Sequence, residues 1–271
     1  MSKKPLVSIL IASYNKEKYV KRCINSCLNQ TYNNVEVIFY DDGSEDDSYK
    51  IAKKIKGIKV YSNKNLKNYE EFNTYHQINS YNKAFSKSKG KYILLLDSDD
   101  FFKKNKVKEI VNYFNKYKEC NIVFDLPIYY FSKNKKLYLK KKIKRKNKKD
   151  IWPSFNIAGS CISFRRNFYK KYSKLINEKD FSMLTLDFRL AVISSSILND
   201  FRMINKHLTF YFQDVKGESN TKFKKFSKNW WFRRKQAHDF IRKINKKFPI
   251  SFKTQLDYFV TSLIKDIHGL I

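Results

Sequence analysis

The sequence predicts an α/β fold: a mostly parallel, doubly wound sheet flanked by helices, with a helical appendage at the C-terminus. Three observations predict it. Short apolar runs rich in β-branched residues recur at 6–12 (LVSILIA), 35–40 (VEVIFY) and 91–96 (KYILLL), continuous in the way of strands buried on both faces. Segments of helical period separate these runs, the alternation that builds a parallel sheet. Two amphipathic patterns, about 222–246 and 251–268, then close the chain.

The elements follow in order. The first strand runs into Ser13-Tyr14-Asn15, and Asn15 is placed to cap a helix over Lys16 to Asn29, with Val20, Ile24, Cys27 and Leu28 on one face. The second strand ends in the turn Asp41-Asp42-Gly43-Ser44, which leads into another helix. IKVYSN from Ile58 forms a third strand, and a polar helix spans about Glu70 to Lys87 until Gly90 breaks it. The fourth strand, Lys91 to Leu96, runs into Asp97-Ser98-Asp99-Asp100. Beyond residue 125 the rhythm changes. The lysine-rich stretch Lys133 to Lys149 suits a charged hairpin or a loop, 157–164 a strand, Phe181 to Ile197 a helix, and LTFYFQ from Leu208 a strand. Residues 1–220 thus read as one α/β unit in two parts, 1–115 and 116–220. Residues 221–271 read as the appended helices.

Composition bounds the function. With 42% hydrophobic and 17% aromatic residues the 271-residue chain can build a core. Its net charge of +32 attracts polyanions, whether nucleic acid, an anionic membrane face or phosphorylated small molecules, although a solvated lysine-rich surface carries such charge equally well. Four cysteines without a paired CxxC pattern predict reduced, buried thiols and no zinc. No apolar run reaches the roughly 18 residues of a membrane span, and Met1 to Pro5 leads directly into a strand, so a cytoplasmic location is expected.

Ligands of open parallel sheets bind beyond the carboxyl ends of the strands. Three of the four early strands end in polar residues there. Asp97, Asp99 and Asp100 would repel one another without a countercharge, and hard oxygen ligands of this kind suit Mg²⁺ or Mn²⁺ on a diphosphate; acidic first-turn residues of a helix are the plainer alternative. The six glycines form neither GxGxxG nor GxxxxGK[ST], which disfavours dinucleotide and P-loop phosphate cradles.

Pro5 to Asn15, then Val35 to Ser44, then Gly90 to Asp100, together resemble in order and separation a family 2 glycosyltransferase of GT-A fold, over roughly residues 5 to 115. The resemblance implies a nucleotide-sugar donor and makes 1–220 a catalytic unit, with 1–115 its nucleotide-binding half and 116–220 its acceptor-binding half. Ala12 and Tyr14 would line the base pocket beside Asn15, and Asp42 would accept from the base, which points to a UDP-sugar. Asp97 would approach the ribose next to Ser98, Asp99 would hold the metal, and Asn82 sits where the family usually has an asparagine. Tyr81 departs from the arginine common there, which shifts phosphate neutralisation to a lysine such as Lys67 or Lys83. The resemblance also implies inversion at the anomeric carbon and a carboxylate base at a helix start. Asp187 occupies that place, although Leu186 replaces the first member of the usual acidic pair; Glu178 and Asp180 are rivals, and an exposed helix carboxylate is the alternative. Tyr211 to Asp214 lacks the family's Arg and metal-binding His, leaving Asp214 as a substitute ligand, followed by a flexible lid at 216–220.

Gly159-Ser160 before Arg165-Arg166 resembles an acceptor-side loop, where the arginines would meet phosphate or solvent. Trp230 to Lys235 combines aromatic and cationic side chains, suited to peripheral contact with an anionic membrane or to packing the tail on the catalytic unit. The expected acceptor is a glycan or a lipid-linked sugar of bacterial surface polysaccharide or lipooligosaccharide synthesis. A nucleotidyltransferase would need a glycine-rich first loop, nucleic acid would be repelled by acidic strand ends, and an inactive relative that only binds is the remaining alternative.

Overall fold

The computed structural model describes residues 4–63, 73–131, 137–139, 158–198, 200–213, 222–245 and 252–270. Its first half is the predicted alternation: β1 (Val7–Ser13), α1 (Glu17–Leu28), β2 (Val35–Asp41), α2 (Ser48–Lys53), β3 (Lys59–Ser62), α3 (Asn73–Lys87) and β4 (Tyr92–Asp97). These strands lie in the order β3-β2-β1-β4, all parallel, with Ala12 opposite both Tyr40 and Asp97. Every residue of β1 is buried. Each of its Ile, Leu and Val side chains contributes about 1.5–3 kcal/mol on leaving water. One face of the sheet packs Leu10, Ile38 and Leu95 against α3; the other packs Ile9, Phe39 and Leu94 with Val20 and Ile24 of α1.

The second half holds β5 (Phe101–Phe102), α4 (Lys106–Lys116), β6 (Ile122–Phe131), β7 (Leu137–Leu139), a 3-10 turn at Gly159–Cys161, β8 (Ile162–Arg165), α5 (Arg166–Ile176), α6 (Leu186–Ser196) and β9 (Met203–Gln213). The sheet continues β4-β8-β6-β9-β5, with β7 on β6, and mixes antiparallel with parallel pairings. The described sheet therefore has nine strands, parallel throughout β3-β2-β1-β4. The chain ends in α7 (Lys228–Ile244) and α8 (Phe252–Leu270). Ala237, Phe240 and Ile241 seat α7 on Phe181, Leu184 and Val192.

Several local expectations need correction. Asn15 does not cap α1; it adopts a positive φ of 51°, and its Oδ1 accepts from Glu45 N. The helix start is satisfied from across the chain instead, by Asp46 Oδ2 on Glu17 N and Ser48 Oγ on Lys16 N. Residues 157–164 are a strand only from Ile162, and the helix at 181–197 begins at Leu186. Arg165 and Arg166 are engaged with the chain itself. Arg165 donates to the carbonyls of Cys120, Phe114 and Tyr117, closing the end of α4, and Arg166 donates to Gly90 O and Ser88 Oγ. α3 ends at Lys87, and Gly90 beyond it is required for space beside β1: a Cβ there would lie 2.4 Å from Ser8 Oγ and 2.5 Å from Ser8 N.

Candidate active site

The site is built on the carboxyl edge of β2, β1 and β4. Asp41 folds back on its own turn, its carboxylate accepting from Gly43 N, Ser44 N and Ser44 Oγ, and Gly43 supplies the positive φ of 82° that the turn requires. Asp42 is buried, accepts from Asn63 Nδ2 at 2.5 Å and lies 3.8 Å from His76 Nδ1. Asn63 Oδ1 in turn accepts from Tyr40 OH and Lys83 Nζ, both at 2.6 Å. Burial raises the Asp42 carboxyl above its ordinary value, against the pull of His76 and Lys83. Tyr14 is half-buried within the field of Glu45 and Asp42, and its hydroxyl is pushed up by burial first. Tyr14, Asn15 and Asp42 are thus gathered on one side of the site, with Ala12 beneath them on β1.

The second cluster follows β4. Asp97 Oδ1 accepts from Gln77 Nε2 and Tyr81 OH, each at 2.7 Å, so α3 holds the carboxylate from above. The Tyr81 that replaces the expected arginine is therefore a ligand of Asp97. Ser98 is buried and its N–H donates to Ala12 O at 3.1 Å, which bends the chain over β1. Asp99 is the outward carboxylate, ion-paired to Lys16 Nζ at 2.8 Å, while its carbonyl accepts from Arg22. Asp100 turns inward to accept from Ser160 Oγ and from Phe212 N. Asp97 is pushed up to about 7, by burial first and then by the charges of Asp99 and Asp187.

That last cause locates the candidate base. Asp187, in the first turn of α6, is near enough for its charge to be felt at Asp97 and at Tyr211. Thr74 Oγ1 of α3 donates to Ser182 O, fastening the approach to α6 against the helix whose Gln77 and Tyr81 hold Asp97. Arg189 completes the placement: fully buried, it donates to the carbonyls of Ile176, Glu178, Phe181 and Leu184 and so shapes the loop before α6. Asp187 remains partly exposed and accepts from Phe188 N. Its rivals lie elsewhere, Glu178 paired with Lys243 at 2.6 Å and Asp180 exposed on the surface. Asn82 is engaged away from Asp97, its amide bonded to Tyr169 and Asn177 between α3 and the end of α5. Asp214, Lys67 and the segments 140–149 and 216–220 lie outside the described residues.

Sequence reasoning missed the support beneath the acidic loop. Ser160 Oγ accepts from Asp97 N at 2.9 Å as well as donating to Asp100. Ser160 O accepts from the wholly buried Lys106 at 2.6 Å, and Lys106 is ion-paired to the equally buried Asp125 at 2.7 Å. The only signal in the sequence was a charge, Asp125, inside an apolar run.

Among the described residues no group of three or more His, Cys, Asp or Glu side chains is arranged to hold a metal. The donor set fits a different kind of site. Mg²⁺ and Mn²⁺ bind through one or two carboxylates when a substrate diphosphate and water supply the rest, and Asp99 is the outward carboxylate of its loop, two residues from Asp97.

A parallel sheet half with carboxylates gathered at its carboxyl edge, continued by a mixed half and flanked by helices, is an α/β fold of GT-A type. The profile of glycosyl transferase family 2 matches residues 8–173, and the chain belongs to that family. It is 36% identical over 129 residues, 48% of each chain, to the Escherichia coli UDP-Glc:alpha-D-GlcNAc-diphosphoundecaprenol beta-1,3-glucosyltransferase WfaP. It is 38% identical over 116 residues to an uncharacterized glycosyltransferase of Haemophilus influenzae, covering 41% of this chain and 33% of that one. The matches thus span about a third to a half of the curated relatives' length. S. aureus TarS, solved with UDP, superposes with a TM-score of 0.65 at 14% identity, covering 96% of this chain and 69% of that one. A Pyrobaculum calidifontis mannosyltransferase, solved with GDP-Man and Mn²⁺, does so at 0.58 and 11%, covering 99% and 74%. Both likenesses concern the fold.

Proposed function

We propose that this chain transfers a sugar, with inversion, from a UDP-sugar to a hydroxyl of a glycan or lipid-linked acceptor. The observation that carries the proposal is the gathering of Asp42, Asp97 and Asp99 at the carboxyl ends of β2 and β4, with Asp97 held by Gln77 and Tyr81 of α3 and Asp99 by Lys16. In this reading Tyr14 and Ala12 flank the base, Asp42 accepts from it, Asp97 and Ser98 meet the ribose, and Asp187 takes the acceptor proton. The acceptor oxygen forms the new bond at the anomeric carbon while the bond to the diphosphate oxygen breaks, and UDP leaves with that electron pair. Asp99 would hold a divalent cation, which supplies countercharge to the diphosphate. Lys16, already at Asp99, adds a positive charge to the same place. Asn82 belongs to the donor site in this reading through the helix it braces. Residues 1–220 form the catalytic unit, and the C-terminal helices adjoin the acceptor side through Arg233, whose charge acts on Asp187 and whose guanidinium reaches Thr185 at 3.5 Å.

Uracil as the donor base is supported by the UDP-Glc in the name of WfaP and the UDP solved with TarS, and a lipid-linked acceptor by the name of WfaP. Synthesis of bacterial surface glycan at the cytoplasmic side of the membrane follows from the same analogy.

Thermal shift with UDP, GDP and CDP, with and without Mn²⁺, tests the donor site on the wild type and Asp99→Ala. Stabilisation selective for UDP, dependent on Mn²⁺ and lost in Asp99→Ala is the expected result. A folded wild type that no nucleotide stabilises would overturn the transferase and leave a family member that binds something else.

A further inference from the structure

The aromatic and cationic run Trp230 to Lys235 suits a membrane surface or the packing of the tail on the rest of the chain; the structure turns much of it inward. Arg234 of α7 reaches Asp257 of α8 through two bonds of 2.5 and 2.6 Å and Thr261 through a third. Lys235 sits over the Tyr258 ring, and Lys265 over that of Phe232. These contacts fix which way α8 faces: Asp257 and the wholly buried Thr261 look toward α7.

The opposite side of α8 is apolar. Leu256, Phe259, Val260, Leu263 and Ile267 recur at helical spacing and are 53%, 65%, 41%, 53% and 49% exposed. Five large apolar side chains on one stripe of a 19-residue helix are more than scattered surface residues. Among the described residues no helix is long and apolar enough to cross a membrane, and α8 carries a polar face besides. Such a helix is built to lie in an interface.

Charge decides between the occupants. The chain carries +32, so a second copy is repelled and an anionic surface attracted. Part of the excess lies here: residues 222–270 contain 13 Lys and Arg against 3 Asp, and Lys224, Lys225 and Lys228 are exposed at the start of α7 beside the 60% exposed Phe226. Nucleic acid would answer the charge but leave the apolar stripe in water. We propose that the outer face of α8 is a docking surface for an anionic lipid bilayer, with the stripe immersed at headgroup depth and the basic residues of the α7 start at the phosphates. The inference rests on the helix and its charge and is independent of the transferase reading.

Co-sedimentation of the full chain with vesicles tests it, using equal parts phosphatidylcholine and phosphatidylglycerol, or phosphatidylcholine alone. The wild type is expected to bind the anionic vesicles and bind the neutral ones more weakly. The combined variant Leu256→Ser, Phe259→Ser and Leu263→Ser, whose altered side chains are exposed, is expected to lose about a hundredfold in affinity with unchanged thermal unfolding. Phe259→Trp gives a second readout: on adding anionic vesicles its emission is expected to shift to shorter wavelength by more than the wild type's does. Undiminished binding of the triple serine variant would show that charge alone acts, and an emission shift of Phe259→Trp no larger than that of the wild type would show that the stripe stays in water. A wild-type dimer in sedimentation velocity that the triple variant abolishes would assign the stripe to a second copy. Each of these overturns the proposal, while nucleotide-induced thermal shifts report the donor site separately.

Discussion

Asp187 shows how one residue's chemistry depends on its surroundings. Burial raises its carboxyl above the ordinary value, while Thr185, the Arg233 charge and the Phe188 N–H pull it back. A general base must be ionised to accept a proton, so a raised value moves the acid limb of the rate profile upward. Turnover is expected to climb with pH through a midpoint above the ordinary carboxylate value of about 3.9. Asp187→Asn should lower kcat by about a thousandfold with UDP binding unchanged, since the acceptor proton then has no recipient. Initial rates across pH, with UDP thermal shifts on the same samples, check both statements. A variant that loses UDP binding along with turnover would assign Asp187 to the donor site. Asp42 and Asp41 make the complementary point: adjacent carboxylates divide their work because one is consumed by its own turn and the other is held facing Asn63.

At the scale of elements, the acidic loop after β4 is held by pieces of α4, β6, β9 and the 3-10 turn. Lys106 of α4 joins them, bonded to Ser160 O, to Thr209 Oγ1 and to Asp125, with its Nζ 4.1 Å from the centre of the Phe102 ring. Thr209 Oγ1 also donates to Asp125 Oδ1 at 2.8 Å. A buried ion pair of this kind adds little net stability over an apolar replacement, but losing one partner strands the other charge. Lys106→Met is therefore expected to cost about 3–5 kcal/mol in denaturant unfolding. Lys106→Met combined with Asp125→Leu should recover much of that loss. If the double variant is no better than the single one, the hydrogen bonds to Ser160 and Thr209 carry the effect and not the stranded carboxylate. Ser160 transmits the same anchoring to Asp97 and Asp100, so the network fixes the loop on which the proposed metal ligand stands.

The whole molecule combines a buried, reduced interior with a strongly basic exterior. All four cysteines are free and buried, and desolvation raises the thiols of Cys23, Cys120 and Cys161, that of Cys120 to about 12. A thiol reacts as its thiolate, and these are both protonated and shielded. Ellman's reagent is expected to modify none of them in the folded protein and all four in denaturant, with folded-state reaction tracking global unfolding. Rapid modification of the native protein would reveal a local opening at one of the two core faces on which the cysteines lie. The basic exterior acts at longer range, raising the local concentration of anionic ligands, an effect that salt weakens.

The sequence by itself determined the parallel half of the sheet, the acidic residues at its carboxyl edge and the family. Those features are written in contiguous signals: apolar runs of strand length, turn residues after them, and Asp97 to Asp100 within four positions. Asp187 was named as the candidate base only by resemblance of a short stretch. Elements with a mixed pattern were less legible; α4, β6 and α5 interleave lysine and aromatic residues whose apolar faces emerge only once they are packed. What only the tertiary structure decided is where remote residues meet. Ser160 and Lys106 come under the acidic loop, Tyr81 takes Asp97 as its partner, Asp46 caps a helix that Asn15 was expected to cap, and α8 turns its polar side to α7 and its apolar side outward. The physical reason is the same in each case. A backbone run reports its own periodicity, whereas a side chain's partner is set by which strands and helices are packed beside it, and that choice belongs to the whole chain.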